Sequence, residues 1–407
     1  MRVLISGASV AGPVLAYWLH RYGFECTVLE RAPALRKTGG HAVDLLHPAM
    51  DIIERMGLRE EVLAKTTGTE SLTLEREGST PIDIDISRIL GPASENHAEV
   101  MRDDLGEIFY DATRAHVEYV FGDSIATLEQ HPTHVHVTFD HGDPRDFDLV
   151  IGADGLHSNT RRIVFGDESQ FAHFIGGYLS VLTVPNHLDL SKRMVSLAAP
   201  GRTVGLYSAD RADDARAIFL FRSENRLDYH HRDTDRQKEL LRAAFADIGW
   251  EVPRLLAELD HTPAFYFDEI TQLRMDHWSR GRVGLVGDAA YSPGPAIGGS
   301  TSLAVVGAYV LAGELATAWP DHERGFTAYE RELADYVERS RTFARRMAKQ
   351  LIPDTAGKVW LLAQVTRLVG SLPAGVARVL SRLDTGGLRV HDEVRLKDYP
   401  ALIGPRG

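Results

Sequence analysis

Apolar and polar positions along the chain fall into runs of two kinds. Some are continuous, as in strands covered on both faces, and others alternate, as in strands with one wet face. The first continuous run, Val3-Leu4-Ile5, passes through Gly7 and Gly12 into a helix predicted over 14–22. Gly23 stops that helix, and a second apolar run over 26–29 ends in Glu30-Arg31. A loop with Arg36, Lys37 and the pair Gly39-Gly40 leads into 42–45, then into a helix over 48–56 that Gly57 terminates. Residues 71–74 and 81–86 alternate and predict strands, and helix returns over 100–116, with Arg102 near its start. Alternation reappears at 134–139, and 147–151 is a buried strand that runs on to Asp154-Gly155.

From 171 to 273 the character changes. Strands are predicted over 173–184, 195–198, 203–207 and 216–221, then a helix over 236–245 and a β-rich run over 263–273. A continuous strand at 282–286 restores the earlier style. It leads to Gly287-Asp288, a Pro/Gly-rich turn over 293–299 and an apolar helix over 301–318. The remainder, 321–383, reads as helical with breaks at Pro353 and Pro373. The fold class is therefore α/β (α+β overall): a Rossmann-like nucleotide-binding domain, an inserted β-sheet domain and C-terminal helices. The nucleotide domain takes 1–70, 98–170 and 274–340, the inserted sheet 171–273 joined by strands within 71–97, and the helical end 341–407.

Strand, glycine turn, helix, strand and acid make up the βαβ unit that binds a dinucleotide. Gly7 allows the tight turn, and Gly12 lets the helix lie close to the sheet. The N–H groups around Val10 and Ala11, at the helix start, receive a pyrophosphate, helped by about half a positive charge from the helix dipole. Ser9 stands where G-x-G-x-x-G has its middle glycine, and its hydroxyl is a further donor to phosphate. Glu30 falls where an acid accepts hydrogen bonds from a ribose. The spacing is not G-x-S-x-G, so Ser9 is not read as a hydrolase nucleophile.

A net charge of −12 and a pI near 5.8 argue against a nucleic-acid partner. The single cysteine, Cys26, lies in the second strand, which excludes a disulfide framework and favours a cytoplasmic home. The chain opens on its first strand without a basic leader, and no window approaches about 18 uninterrupted apolar residues, so neither a signal peptide nor a membrane span is expected. His134 and His136 share a strand face with no carboxylate at ligand spacing, so a solvated face is expected and no metal site. Arg341, Arg345, Arg346 and Lys349 read likewise as a solvated helix face.

Three distant segments fit together: Gly7–Gly12 with Glu30-Arg31, then Asp154-Gly155-Leu156-His157-Ser158-Asn159-Thr160-Arg161, then Gly287-Asp288 with its Pro/Gly loop. In this order they resemble the flavoprotein aromatic hydroxylases, single-component FAD monooxygenases of the para-hydroxybenzoate hydroxylase type. Gly39-Gly40 with Asp44-Leu45 looks most like the tetracycline-inactivating and polyketide-tailoring branch. The resemblance implies a Rossmann-like FAD-binding domain that holds FAD non-covalently. Glu30 would hold the adenosine ribose, Arg31 would lie by the adenosine, and Arg102 would contact the cofactor. Asp288 would bind the ribityl chain and Asp44 would lie near the flavin. Asp154 opens a segment associated with both FAD and the nicotinamide donor. The loop with Pro295, Gly298 and Gly299 would lead to a helix whose positive end faces the flavin pyrimidine edge. Three positions of this segment depart from the family: Ser300 replaces the second glycine of the loop, Ser302 replaces an asparagine and could cap that helix, and Gly307 replaces the usual helix aspartate.

The activity so implied is a monooxygenase in which NAD(P)H reduces the flavin and O2 adds to it. The resulting flavin hydroperoxide passes one oxygen to a small aromatic or polyketide-like substrate. Hydroxylation and Baeyer–Villiger oxidation both stay open, as do monomer and dimer, and no catalytic residue is singled out. The alternatives are a flavin-dependent halogenase or reductase on the same fold, or a non-catalytic flavin- and ligand-binding protein. A single dinucleotide fingerprint makes NAD(P)H a transient visitor. The inserted sheet is expected to wall the substrate pocket, with Leu206 and Phe219 as candidate lining residues.

Overall fold

A computed structural model describes residues 1–35, 40–76, 78–86, 97–209, 213–294, 299–371 and 394–399. Six strands form one sheet in the order Ser279–Arg280, Val283–Leu285, Leu149–Gly152, Arg2–Ser6, Glu25–Glu30, Glu118–Phe121. All pairs are parallel except the Ser279–Arg280 edge. The continuous apolar reading of the central strands has a plain cause, since both faces are covered. Val3, Ile5 and Ile151 pack with helices Ala11–Arg21 and Ser300–Ala318 on one side. Leu4, Leu29 and Val150 pack on the other against a three-stranded sheet of Ile125–Gln130, Val135–Phe139 and Arg145–Phe147. Cys26 is buried on the helix-covered side, and burial pushes its thiol up to about 12.

Helix Ser300–Ala318 is apolar all round and accordingly buried, wedged between Ala11–Arg21 and His322–Leu351. Its length and composition would suffice to cross a membrane, but most of it lies inside the protein, as in a core helix.

The second sheet has seven strands in the order Phe265–Leu273, Ala172–Pro185, Asp214–Arg222, Arg202–Tyr207, Arg193–Ala199, Ser71–Glu75, Ile82–Asp85. Its outer face packs on helices Thr234–Phe245 and Val252–Ala257. Its inner face turns to the end of helix His322–Leu351 and to the first nucleotide-binding segments, where the Tyr207 hydroxyl accepts from Ala42 N (2.7 Å) and Arg216 Nε donates to Gly40 O (3.0 Å). Helix Ala356–Ser371 lies on the strands at the far edge, with Ala363 between Leu74 and Ile82.

Four expectations are corrected. Arg341 does not share the solvated face expected for its helix: it is buried and donates to Leu273 O, because the helix packs that side against strand Phe265–Leu273. Val100 and Met101 are not helical: Ala98–Met101 pairs antiparallel with Ala42–Leu45, and the helix is Arg102–Asp111. The distant partner strand takes the backbone bonds that a helix would have used. His134 and His136 do have a carboxylate nearby, since Asp146 from the neighbouring strand bonds His136 Nδ1 at 2.7 Å. Among the described residues, however, no group of three or more His, Cys, Asp or Glu is arranged to hold a metal. Ser302 is not a cap, for reasons given with the site below. The predicted break at Pro353 separates helices His322–Leu351 and Ala356–Ser371, whereas Pro373 lies outside the described residues.

Candidate functional site

The glycine turn is tightly built. Gly7 has φ +113°, and a Cβ on it would stand 2.3 Å from Ala153 O; one on Gly12 would stand 1.9 Å from Gly7 O. No side chain can be added at either point without moving backbone. Helix Ala11–Arg21 starts with no side-chain cap and no acid in its first turn, so the donors at its N-terminus are left for an outside anion. Glu30 ties the turn to the end of its strand, accepting from Ala8 N (3.0 Å) and Ala32 N (2.9 Å). Arg31 is exposed on the next loop.

Arg102 comes from the first position of its helix, with its N–H anchored on His41 O (3.1 Å). Its guanidinium donates to the Ser9 hydroxyl from Nε (3.3 Å) and Nη2 (3.1 Å). A cation thus stands over the turn at the residue that departs from the glycine motif. Gly287, at φ +67°, brings the third segment in: its Cβ position lies 3.2 Å from Ala11 Cβ and 3.4 Å from Ala304 Cβ. Asp288 follows, where burial pushes its carboxyl above the ordinary range while Arg102 and the Ser292 hydroxyl pull it back. His41 is held down at about 4, by burial first and the Arg102 charge second.

Asp44 lies on the strand paired with Ala98–Met101, and its Oδ1 meets His97 Nε2 at 2.6 Å. Burial works to lower the His97 imidazole, but the Asp44 bond and charge outweigh it and raise it. The Ser302 hydroxyl accepts from Leu46 N (2.9 Å) and donates to Asp44 O (3.1 Å). It therefore fastens the Asp44 strand to the start of helix Ser300–Ala318, while Gly299 in the left-handed conformation (φ 92°) forms the N-cap. Pro295 and Gly298 lie outside the described residues. Gly307 has a structural partner: a Cβ there would stand 1.9 Å from the Tyr291 hydroxyl, which fills the space.

Asp154 turns into its own loop, accepting from the Ser158 hydroxyl (2.5 Å) and from Thr160 N and Oγ1 (both 2.9 Å). Ser158 caps helix Asn159–Phe165 by accepting from Arg161 N at 2.9 Å. Buried Arg161 reaches across to the Asp288 turn, donating to Ala289 O (2.9 Å), Leu156 O (2.6 Å) and Glu168 (2.5 Å). His157 sits between Asp268 and Glu168, at 3.0 Å from each. Asp268 also accepts from the Tyr266 hydroxyl (3.3 Å), and the Tyr266 ring lies 6.0 Å from His41.

Leu206 and Phe219 do not line this cleft. Both are fully buried on the outer face of the seven-stranded sheet, where the Phe219 ring meets Phe245 edge-on at 5.0 Å. Strand alternation puts their neighbours Tyr207 and Ile218 on the inner face instead. His41, His97 and Tyr266 join the site without having been singled out in the sequence. His41 follows the Gly39-Gly40 pair, which was a usable signal, but His97 and Tyr266 reach the cleft only through strand pairing and the facing sheet.

The family described as FAD binding domain matches residues 1–350. An uncharacterized protein of Mycobacterium tuberculosis (strain H37Rv) is 45% identical over 341 residues, 83% of this chain and 91% of that protein. A flavin-dependent monooxygenase of Legionella longbeachae is 38% identical over 360 residues, 88% of this chain and 92% of its own length. The crystal structure of tetracycline destructase Tet(51) superposes with a TM-score of 0.81 at 32% identity, covering 98% of this chain and 99% of that one.

Proposed function

This chain belongs to the FAD binding domain family as an FAD-dependent monooxygenase of the aromatic hydroxylase type, and we propose that it uses NAD(P)H and O2 to place one oxygen in a polycyclic, polyketide-like aromatic substrate. The observation that carries this reading is the meeting of Arg102, Ser9 and the uncapped helix Ala11–Arg21 at one end of a cleft that also holds Asp288 and Asp44. The residues fit FAD. Gly7 and Gly12 let the turn close against Ala153 and against itself, and the helix N-terminus with Arg102 suits a pyrophosphate. Glu30 would take the ribose hydroxyls, Arg31 would flank the adenosine and Asp288 would accept from the ribityl chain. Asp154 would act through its loop, whose Arg161 fixes the Asp288 turn. Gly299 would present the positive end of helix Ser300–Ala318 to the negative edge of the reduced ring.

When bound, FAD supplies the electron transfer and oxygen chemistry; the protein holds it, excludes water and positions the substrate. The inner face of the seven-stranded sheet, with Tyr207, Ile218 and Tyr266, would wall the substrate. The likeness to a tetracycline destructase supports the polycyclic substrate class. The test is NAD(P)H oxidation by the FAD-loaded protein against a panel of polycyclic phenols, with mass spectrometry for a gain of one oxygen. Oxidation that no phenol accelerates, with no oxygenated product, would reject the reading.

A further inference from the structure

The two faces of the short antiparallel pair Ala42–Leu45 and Ala98–Met101 differ. Val43, Leu45, Ala98 and Val100 turn into the core of the nucleotide domain. Asp44 and Glu99, opposite each other in the register, therefore turn the other way, toward Tyr207 on the inner face of the seven-stranded sheet. Burial, Glu99 and Asp44 together push the Tyr207 hydroxyl up. Glu99 is occupied: the Thr67 hydroxyl donates to its Oε2, and Thr67 N donates to its carbonyl (2.9 Å). Asp44 holds His97 instead, Oδ1 to Nε2 at 2.6 Å, and the Ser302 hydroxyl fixes the Asp44 carbonyl to the start of helix Ser300–Ala318. A carboxylate only accepts, so the Nε2 of His97 carries the proton and the lone pair of the neutral ring sits on Nδ1. That nitrogen has no hydrogen bond among the described residues, and it is not among the buried polar atoms left without a partner.

An imidazole with one nitrogen donating to a carboxylate and the other open is arranged to accept a proton. The other titratable groups around the cleft are not. Both nitrogens of His157 are engaged by carboxylates, and burial with the Arg102 charge holds His41 down at about 4. Burial pushes the Tyr207 and Tyr266 hydroxyls up, so neither ionises near neutral pH. We propose that His97 takes the proton from the hydroxyl of the bound phenol, with Asp44 holding the imidazole in place. The proposal rests on the reading of a phenolic substrate given above. The substrate O–H bond breaks, its proton goes to Nδ1, and the electron pair stays on the oxygen. The ring is then a phenolate, richer in electrons and readier to receive oxygen. The imidazolium so formed faces Asp44 from the paired strand and Glu99 from its own, which balance its charge. Burial lowers the His97 imidazole, but the Asp44 bond, the Asp44 charge and Glu99 outweigh it and raise it from 6.5, toward the pH where a base works best.

The test compares FAD-loaded wild type and His97→Gln on 2-naphthol, its methyl ether and 1-nitro-2-naphthol, which is already ionised at neutral pH. For wild type, kcat/KM for 2-naphthol should fall as pH drops through the His97 value, above 6.5. In His97→Gln it should be lower by about a hundredfold or more at neutral pH, and should recover only as the naphthol itself ionises. Turnover of 1-nitro-2-naphthol, which has no proton to give up, should change little. Calorimetric titration should show a wild-type preference for 2-naphthol over its ether that the variant lacks. At saturating FAD, Asp44→Asn should move the acid limb down toward 6.5, because His97 loses its partner. The two naphthols serve as each other's control within one protein. Equal losses on both would mean that His97 only supports the fold, and the proposal fails. A wild-type protein that oxygenates 2-naphthol, with a pH profile the variant leaves unmoved, defeats the role of His97 alone. A wild-type protein that oxygenates neither naphthol defeats the phenol reading and His97 with it.

Discussion

Arg102 and Ser9, more than ninety residues apart in sequence, are joined by two hydrogen bonds from one guanidinium to one hydroxyl, at 3.3 and 3.1 Å. The serine that interrupts the glycine motif is thereby given a cationic partner, at the spot where a pyrophosphate carries its charge. Charge-assisted bonds of this kind contribute about 1.5–3 kcal/mol. Arg102→Met should therefore weaken FAD binding roughly ten- to a hundredfold, measured by flavin fluorescence quenching. Ser9→Gly, which restores the common motif and frees the guanidinium, should cost little.

Asp288 sets function against stability. An acid whose folded pKa lies above its ordinary value near 3.8 stabilises the fold fully only below that value, and the contribution is lost as pH rises through the folded pKa. The apoprotein of Asp288→Asn should therefore melt higher than wild type at neutral pH, with the gap closing on acidification. The same variant should bind FAD about tenfold or more weakly. Calorimetric melts across pH, with and without FAD, check both outcomes.

His157 is also raised above its ordinary value, but by its charged partners and not by burial. Burial works against its charge, yet Asp268 and Glu168 on either side hold it protonated up to about 10. The stability it contributes is complete below its ordinary value of 6.5 and disappears as pH rises through about 10. His157→Gln should be destabilised by about 3 kcal/mol at neutral pH, because two carboxylates lose their shared cation. Its melting temperature should change less between pH 7 and 10 than that of wild type.

Gly307→Ala should unfold more easily by about 1–3 kcal/mol, the usual cost of overpacking, since its Cβ falls 1.9 Å from the Tyr291 hydroxyl. Tyr291→Phe removes that oxygen, so the double variant should recover part of the loss despite giving up the bond to Tyr329 (3.1 Å). Denaturant melts of the three proteins form the thermodynamic cycle.

Ile218 and Phe219 separate lining from core. Phe219→Ala opens a cavity in a fully buried cluster and should cost about 3–5 kcal/mol without altering which substrate is preferred. Ile218→Ala, one position away on the inner face, should shift relative kcat/KM among substrates and leave FAD affinity unchanged. Steady-state kinetics over two substrates of different width decide it.

Asp288 was reached only through the resemblance of three segments in order, whereas the glycine turn and Glu30 were legible in the sequence because each is demanded by local geometry or short spacing: a backbone that tolerates no Cβ and an acid at a strand end. The alternating strands of the second sheet were legible for the same reason, since burial on one face writes a period of two into the residues themselves. Which of those faces is the inner one was not. Leu206 and Phe219 obey the same alternation as Tyr207 and Ile218, and only the helices stacked on one side distinguish core from cleft. Val100 and Met101 looked helical because their partner strand, Ala42–Leu45, lies far off in the chain. Ser302 looked like a cap because a hydroxyl at a helix start has that local option, and the neighbouring strand offered it Leu46 N and Asp44 O instead. Sequence by itself determined the chain's family, through three segments in a fixed order, and the strand, turn and helix of the N-terminal unit, which rest on spacing within a few residues. The pairings of Arg102 with Ser9, Asp44 with His97 and Asp268 with His157 were decided by tertiary structure alone, because a side chain's distant partner is chosen by how the sheets stack and leaves no periodic trace in the chain.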